Sequence, residues 1–125
     1  MSNSSGPRLL LVDDDLALRE TVAEVLRDEG YEVVEAENGR AALNLLQSGV
    51  SPALILLDLM MPVMDGSTFC RALRAEPSIA ALPVVVISAN ARAQEQALEC
   101  GADEYLPKPF DIEALLRIVS RWAKR

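Results

Sequence analysis

Histidine is absent from the 125-residue chain, and cysteine occurs only twice. The chain therefore lacks the usual nitrogen ligand of transition metals, which is also the most frequent general base of enzymes, and has only two of the usual sulfur ligands. Cys70 and Cys100 are too few and too far apart in sequence for a disulfide framework or a zinc site. Any metal bound by this chain is expected to be a hard cation held by oxygen.

Long apolar runs and an excess of basic charge are missing as well. The apolar runs at residues 54–57 and 84–87 are far shorter than a membrane span, and no signal peptide follows the polar start of the chain. We therefore expect residues 1–7 to form a flexible N-terminal tail and the protein to be cytoplasmic, without membrane contact. Twelve basic against nineteen acidic residues give a net charge of −7, which argues against direct nucleic-acid binding.

The residues that are present alternate between two patterns. Half of them are hydrophobic and a quarter are charged, as in an ordinary globular domain. Five short apolar runs typical of strands, each followed by a segment with helical periodicity, occupy residues 8–13, 31–36, 53–57, 84–87 and 104–106. Gly30 and Gly101 end two of the helices, and Asp111 caps the last one. Five β-then-α units predict a single α/β domain over residues 8–125, with a parallel sheet covered on both faces.

Polar residues follow four of these predicted strands. They are Asp13, Asp14 and Asp15 after the first strand, Asp58 after the third, Ser88 after the fourth and Lys108 after the fifth. The carboxyl ends of parallel strands meet at one edge of a sheet, where ligands bind. The sequence therefore predicts carboxylates, a hydroxyl and an ammonium group at one site.

The electrostatics of that edge call for a cation. Two carboxylates about 5 Å apart at an effective dielectric near 20 repel each other by roughly 3 kcal/mol. Lys108 supplies one positive charge, and a divalent ion would supply the remainder. An all-oxygen ligand set favours Mg²⁺. An aspartate beside Mg²⁺ and a lysine is suited to phosphoryl transfer, because the cations offset charge on the transferred group while the carboxylate attacks.

From about Arg8 to Trp122 the chain resembles the receiver domains of two-component response regulators. The motifs that carry this resemblance are Asp13-Asp14, Asp58 followed by Met60-Met61-Pro62 and Asp65-Gly66, Ser88-Ala89, and Lys108-Pro109-Phe110. The resemblance implies a flavodoxin-like (βα)₅ three-layer sandwich with its five parallel strands in the order 2-1-3-4-5. The strand pattern alone gives only a parallel α/β fold.

The resemblance also implies a role for each site residue. Asp58 is the expected phosphoacceptor, and Mg²⁺ is expected to be held by Asp13, Asp14, Asp58 and the backbone carbonyl of Met60. Lys108 contacts the phosphoryl group, and the Lys108–Pro109 peptide bond is expected to be cis. Ser88 and Tyr105 form the switch that responds to phosphate. Met60 and Asn90 border the approach of the water that removes it, and so tune dephosphorylation.

The expected function is that of a phosphoacceptor regulator in a phosphorelay, not a turnover enzyme. Its implied partners are a histidine kinase or histidine phosphotransfer protein and a downstream target or fused output domain. Two alternatives stay open: a degenerate receiver that only binds partners, and a phosphatase with an aspartyl nucleophile. The filled acidic, serine and lysine positions speak against the first, and the lack of a cap domain speaks against the second. Simpler interpretations also remain for two residues, helix capping for Asp15 and core packing for Tyr105.

Overall fold

A computed structural model of the chain describes residues 6–58, 64–89 and 92–123. In this part strands and helices alternate as β1 (Arg8–Val12), α1 (Leu16–Asp28), β2 (Glu32–Ala36), α2 (Gly39–Gln47), β3 (Leu54–Asp58), α3 (Gly66–Ala75), β4 (Val84–Ser88), α4 (Ala93–Cys100), β5 (Glu104–Pro107) and α5 (Ile112–Trp122). The strands form one parallel sheet in the order β2-β1-β3-β4-β5. The predicted flavodoxin-like topology is confirmed.

Two apolar clusters cover the two faces of the sheet, because successive strand residues point to opposite sides. Leu9 and Leu11 pack with α1 and α5, whereas Leu10 and Val12 pack with α2, α3 and α4. Strands β3 and β4 are buried along their whole length. This is the three-layer arrangement predicted from the sequence. None of the helices in the described residues has the length and apolarity that a membrane crossing requires.

Local polar contacts fix the ends of several helices. Side-chain oxygens of the N-cap residues accept backbone amides at the starts of α1, α2 and α3, from Asp15, Asn38 and Asp65 respectively. Gly101 ends α4 in the left-handed conformation, with φ of 86°. Asp111 occupies the N-cap position of α5, but its side chain makes no capping hydrogen bond. The predicted cap of α5 is therefore positional only, and the usual gain of about 1 kcal/mol from a capping side chain does not apply there.

The predicted N-terminal tail is described only at its end, since residues 1–5 lie outside the described ranges. The carbonyl of Pro7 accepts the amide of Glu32 at 3.0 Å, which aligns the chain with β2 just before β1 begins. The division into a tail over residues 1–7 and a domain over residues 8–125 stays a prediction.

Candidate functional site

The register of the sheet places two aspartates side by side. β1 and β3 are neighbours at the point where the strand order reverses, and Val12 pairs with Leu57. Asp13 follows β1 directly and Asp58 is the last residue of β3, so both stand at the same carboxyl edge. Asp13 is 6% exposed and Asp58 is 7% exposed.

Three carboxylates and one ammonium group meet at this edge. One carboxylate oxygen each from Asp13, Asp14 and Asp58 lies within 4.8 Å of the other two. Lys108 Nζ lies 3.3 Å from Asp13 Oδ2 and 3.5 Å from Asp58 Oδ2. Asp14 is exposed, whereas Asp13 and Asp58 are buried, so the cluster lies at the protein surface on the side of Asp14. The predicted meeting of these four side chains is what the structure shows.

The charges in this cluster do not balance. Three carboxylates face one ammonium group, so acidic side chains outnumber basic ones among these four residues. The cluster offers carboxylate oxygens, which are the ligands of hard divalent cations such as Mg²⁺. The donor chemistry of these residues therefore fits the predicted metal.

Strand pairing also brings Lys108 to the site. Ser88 is the last residue of β4 and pairs with Pro107, and the Lys108 amide donates to the Ser88 carbonyl at 3.0 Å. The Lys108–Pro109 peptide bond is cis, as expected from the resemblance. The lysine thus follows directly on the β4–β5 ladder and directs its ammonium group toward β1 and β3.

The two predicted switch residues are neighbours in the structure. Ser88 is fully buried. Tyr105 is half-buried in the cluster of α2, α3 and α4, and its hydroxyl donates to the Ser88 carbonyl at 3.5 Å, the outer limit for such a bond. The proximity fits a coupled pair, and their motion on phosphorylation stays a prediction. Met60 and Asn90 lie outside the described residues, so the predicted carbonyl ligand and the water approach also stay predictions.

One contact of the site was missed by the sequence analysis. Helical periodicity assigns Arg19 to the polar face of α1, yet its side chain is only 13% exposed. Its Nη1 donates to the backbone carbonyl of Asp13 at 2.7 Å, and its Nε donates to Glu35 Oε1 at 3.1 Å. Periodicity cannot reveal this contact, because the guanidinium reaches back over the first turn of α1 to a neighbouring strand end.

Comparison with known proteins points to one protein family. The family model "Response regulator receiver domain" matches residues 9–120. The response regulator MprA of Mycolicibacterium vanbaalenii is 45% identical over 111 residues, which cover 87% of this chain and 47% of that protein. The DNA-binding dual master transcriptional regulator RpaA of Synechocystis is 40% identical over 121 residues, which cover 95% of this chain and 50% of that protein. The chain thus spans about half the length of these curated relatives.

A solved receiver domain is similar to this chain in its fold. The receiver domain of a sensor histidine kinase from Pseudomonas aeruginosa superimposes with a TM-score of 0.88 at 31% identity, covering 97% of this chain and 100% of that one. That domain is described with a magnesium ion coordinated in its active site cleft.

Proposed function

This chain belongs to the response regulator receiver domain family, and on that premise we propose that it is a switch in which Asp58 accepts a phosphoryl group. The observation that carries the proposal is the position of Asp58. It is a buried carboxylate with Lys108 Nζ at 3.5 Å and two further carboxylates beside it, at the strand edge where ligands bind.

The proposed chemistry is a displacement at phosphorus. One oxygen of Asp58 attacks in line with the leaving group, so a new O–P bond forms while the bond from phosphorus to the donor breaks. The electron pair leaves with the donor, which then takes up a proton. Lys108 lies close enough to donate to the phosphoryl oxygens, and a charge-assisted hydrogen bond of this kind stabilises the charge on the transferred group.

Mg²⁺ is the cofactor that we propose. Asp13, Asp14 and Asp58 would hold it, together with the carbonyl of Met60. When bound, the ion would offset negative charge on the phosphoryl oxygens and on the carboxylates themselves. The magnesium-bound receiver domain from Pseudomonas aeruginosa supports this assignment by similarity.

We propose phosphohistidine on a histidine kinase or histidine phosphotransfer protein as the donor. An apolar groove of about 470 Å³ opens beside Lys108 and offers a docking surface for such a protein; it is lined by Leu18, Thr21, Val22, Ala89, Lys108, Pro109, Phe110 and Ile112. The output partner that we propose is a downstream protein target or a fused output domain, and the curated relatives are about twice as long as the region that matches this chain. The net charge of −7 supports the view that this chain itself does not bind nucleic acid, although one relative is named as DNA-binding. The cytoplasmic location stays a prediction.

The two alternatives are less well supported. A degenerate receiver is expected to lack part of the acidic and lysine set of the site. Here that set is complete and close together, as Asp13, Asp14, Asp58 and Lys108. An aspartyl-nucleophile phosphatase is expected to carry its nucleophile after the first strand. The proposed acceptor of this chain, Asp58, instead ends the third strand, β3, and Lys108 lies beside it.

The proposal predicts where the protein responds. Beryllofluoride, a phosphoryl mimic, added together with Mg²⁺ is expected to shift backbone amide NMR signals mainly between Ser88 and Phe110. The added charge lies next to Ser88 and Lys108, and moving a two-state switch from 1:99 to 99:1 takes about 5.5 kcal/mol, which a few charge-assisted hydrogen bonds approach. The same addition in EDTA is the control. Shifts confined to α1 and α2 would contradict the proposal.

A second prediction concerns the lifetime of the phosphoryl group. Met60 offers no hydrogen bond to a hydrolytic water, and Asn90 can bind a water but cannot take its proton. We expect Met60→Asn combined with Asn90→Glu to shorten the lifetime, because the water gains both an orienting group and a base. The decay of the phosphorylated form is followed by intact mass spectrometry in both proteins. Unchanged or slower decay in the double variant would refute this role.

A further inference from the structure

We infer that Arg19 is a positioning residue that fixes Asp13 for metal binding, an inference that rests on the proposed function. Among the contacts described for it, the guanidinium of Arg19 reaches none of the carboxylates of Asp13, Asp14 and Asp58. It donates to the backbone carbonyl of Asp13, the first of the three residues between β1 and α1. The inferred effect on the metal therefore passes through the main chain of Asp13.

Asp13 is held at each of its polar positions. Its amide donates to the carbonyl of Ala36 on β2 at 3.1 Å, and its carbonyl accepts from Arg19 at 2.7 Å. Its Oδ1 accepts the amide of Asp15 at 2.9 Å, and its Oδ2 faces Lys108 at 3.3 Å. Arg19 provides the contact that ties the carbonyl side of this residue to α1. Without it, the main chain of Asp13 loses one of its two described hydrogen bonds.

Glu35 determines where the guanidinium of Arg19 points. Its Oε1 accepts from Arg19 Nε at 3.1 Å, and its Oε2 accepts from Arg27 Nη2 at 3.2 Å. Arginine stays charged at all relevant pH values and would be attracted to the acidic cluster as a competitor of Mg²⁺. The carboxylate of β2 keeps this cation directed at a backbone carbonyl and away from the acidic side chains.

Arg27 provides a matched control within the same network. It shares Glu35 with Arg19, and it also donates to a backbone carbonyl, that of Val33 at 2.8 Å. It lies two turns further along α1 and makes no contact with Asp13 among those described for it. Loss of Arg27 therefore tests the general effect of weakening this network, whereas loss of Arg19 tests the effect on Asp13.

The experiment compares Arg19→Gln and Arg27→Gln with the wild type. The Mg²⁺ dissociation constant is measured by NMR titration, and the stability of each variant is measured by urea unfolding. We expect Arg19→Gln to raise the dissociation constant about tenfold, the lower end of the effect of losing an outer-shell partner. Arg27→Gln is expected to leave it within about twofold of the wild type, even where both variants lose similar stability.

Further variants and outcomes separate this inference from the proposed function. Should Arg19→Gln fail to fold, Arg19→Lys keeps the charge but cannot bridge the Asp13 carbonyl and Glu35 as a fork, so weaker Mg²⁺ binding is again expected. Equal Mg²⁺ affinity in the Arg19 and Arg27 variants would overturn the role of Arg19 alone. A wild-type protein that binds no Mg²⁺ would overturn both this inference and the proposed function.

Discussion

Asp58→Asn is expected to abolish phosphoryl transfer and the response to beryllofluoride while it leaves the fold intact. The amide has nearly the shape of the carboxylate, so the buried end of β3 keeps its packing. It lacks the negatively charged oxygen that attacks phosphorus. Lys108 keeps a partner in the variant, because Asp13 Oδ2 remains 3.3 Å away. The loss of modification should therefore occur without a large loss of stability.

The control for this variant is Asp111→Asn. It removes the same formal charge at an exposed position whose side chain makes no capping hydrogen bond. Both variants are incubated with a small-molecule phosphodonor and Mg²⁺, and intact mass and amide NMR spectra are recorded. Asp111→Asn should behave as the wild type. A phosphoryl adduct that persists in Asp58→Asn would refute the assignment of the acceptor.

Asp14→Ala is expected to weaken Mg²⁺ binding, whereas Lys108→Ala is not. Removal of the Asp14 carboxylate takes away one proposed metal ligand, and because this side chain is exposed the fold should tolerate the change. We expect a loss of about 100-fold, or about 2.7 kcal/mol, since a water molecule can replace the lost carboxylate as a ligand. Removal of the Lys108 ammonium makes the site more negative, so Mg²⁺ affinity should stay equal or rise.

The response to beryllofluoride is expected to be lost in Lys108→Ala but not in Asp14→Ala. In Lys108→Ala, beryllofluoride should no longer produce the amide shifts between Ser88 and Phe110, because the cation proposed to contact the phosphoryl oxygens is gone. In Asp14→Ala, the response should return at high Mg²⁺ concentration. Mg²⁺ titrations with and without beryllofluoride give both quantities. Equal loss of Mg²⁺ affinity in the two variants would contradict this division of roles.

The positions of the acidic and basic side chains could be predicted from the sequence because they depend on simple rules. A short apolar run that ends in acid places Asp13 or Asp58 at a strand end, and parallel strands bring such ends to one edge. Lys108 follows the last strand by the same rule. The side of the sheet on which each helix packs, and the strand order, needed the family resemblance in addition.

The contact between Arg19 and Asp13 could not be predicted in this way. Periodicity assigns a residue to a helix face but does not say where a long side chain reaches. The capping role of Asp111 shows a similar limit, since the residue type favours an N-cap but the hydrogen bond depends on the side-chain direction. Both features depend on conformation at single residues, which sequence spacing does not determine.

The most direct test of the central claim is to locate the phosphoryl group on the wild-type protein. The protein is incubated with a small-molecule phosphodonor in Mg²⁺ or in EDTA, and the modified residue is identified by peptide mass spectrometry. We predict a single phosphoryl group on Asp58 that forms in Mg²⁺ and is largely lost in EDTA. An adduct on another residue, or equal modification of Asp58 in EDTA, would contradict the claim that this acidic site is a magnesium-dependent phosphoacceptor.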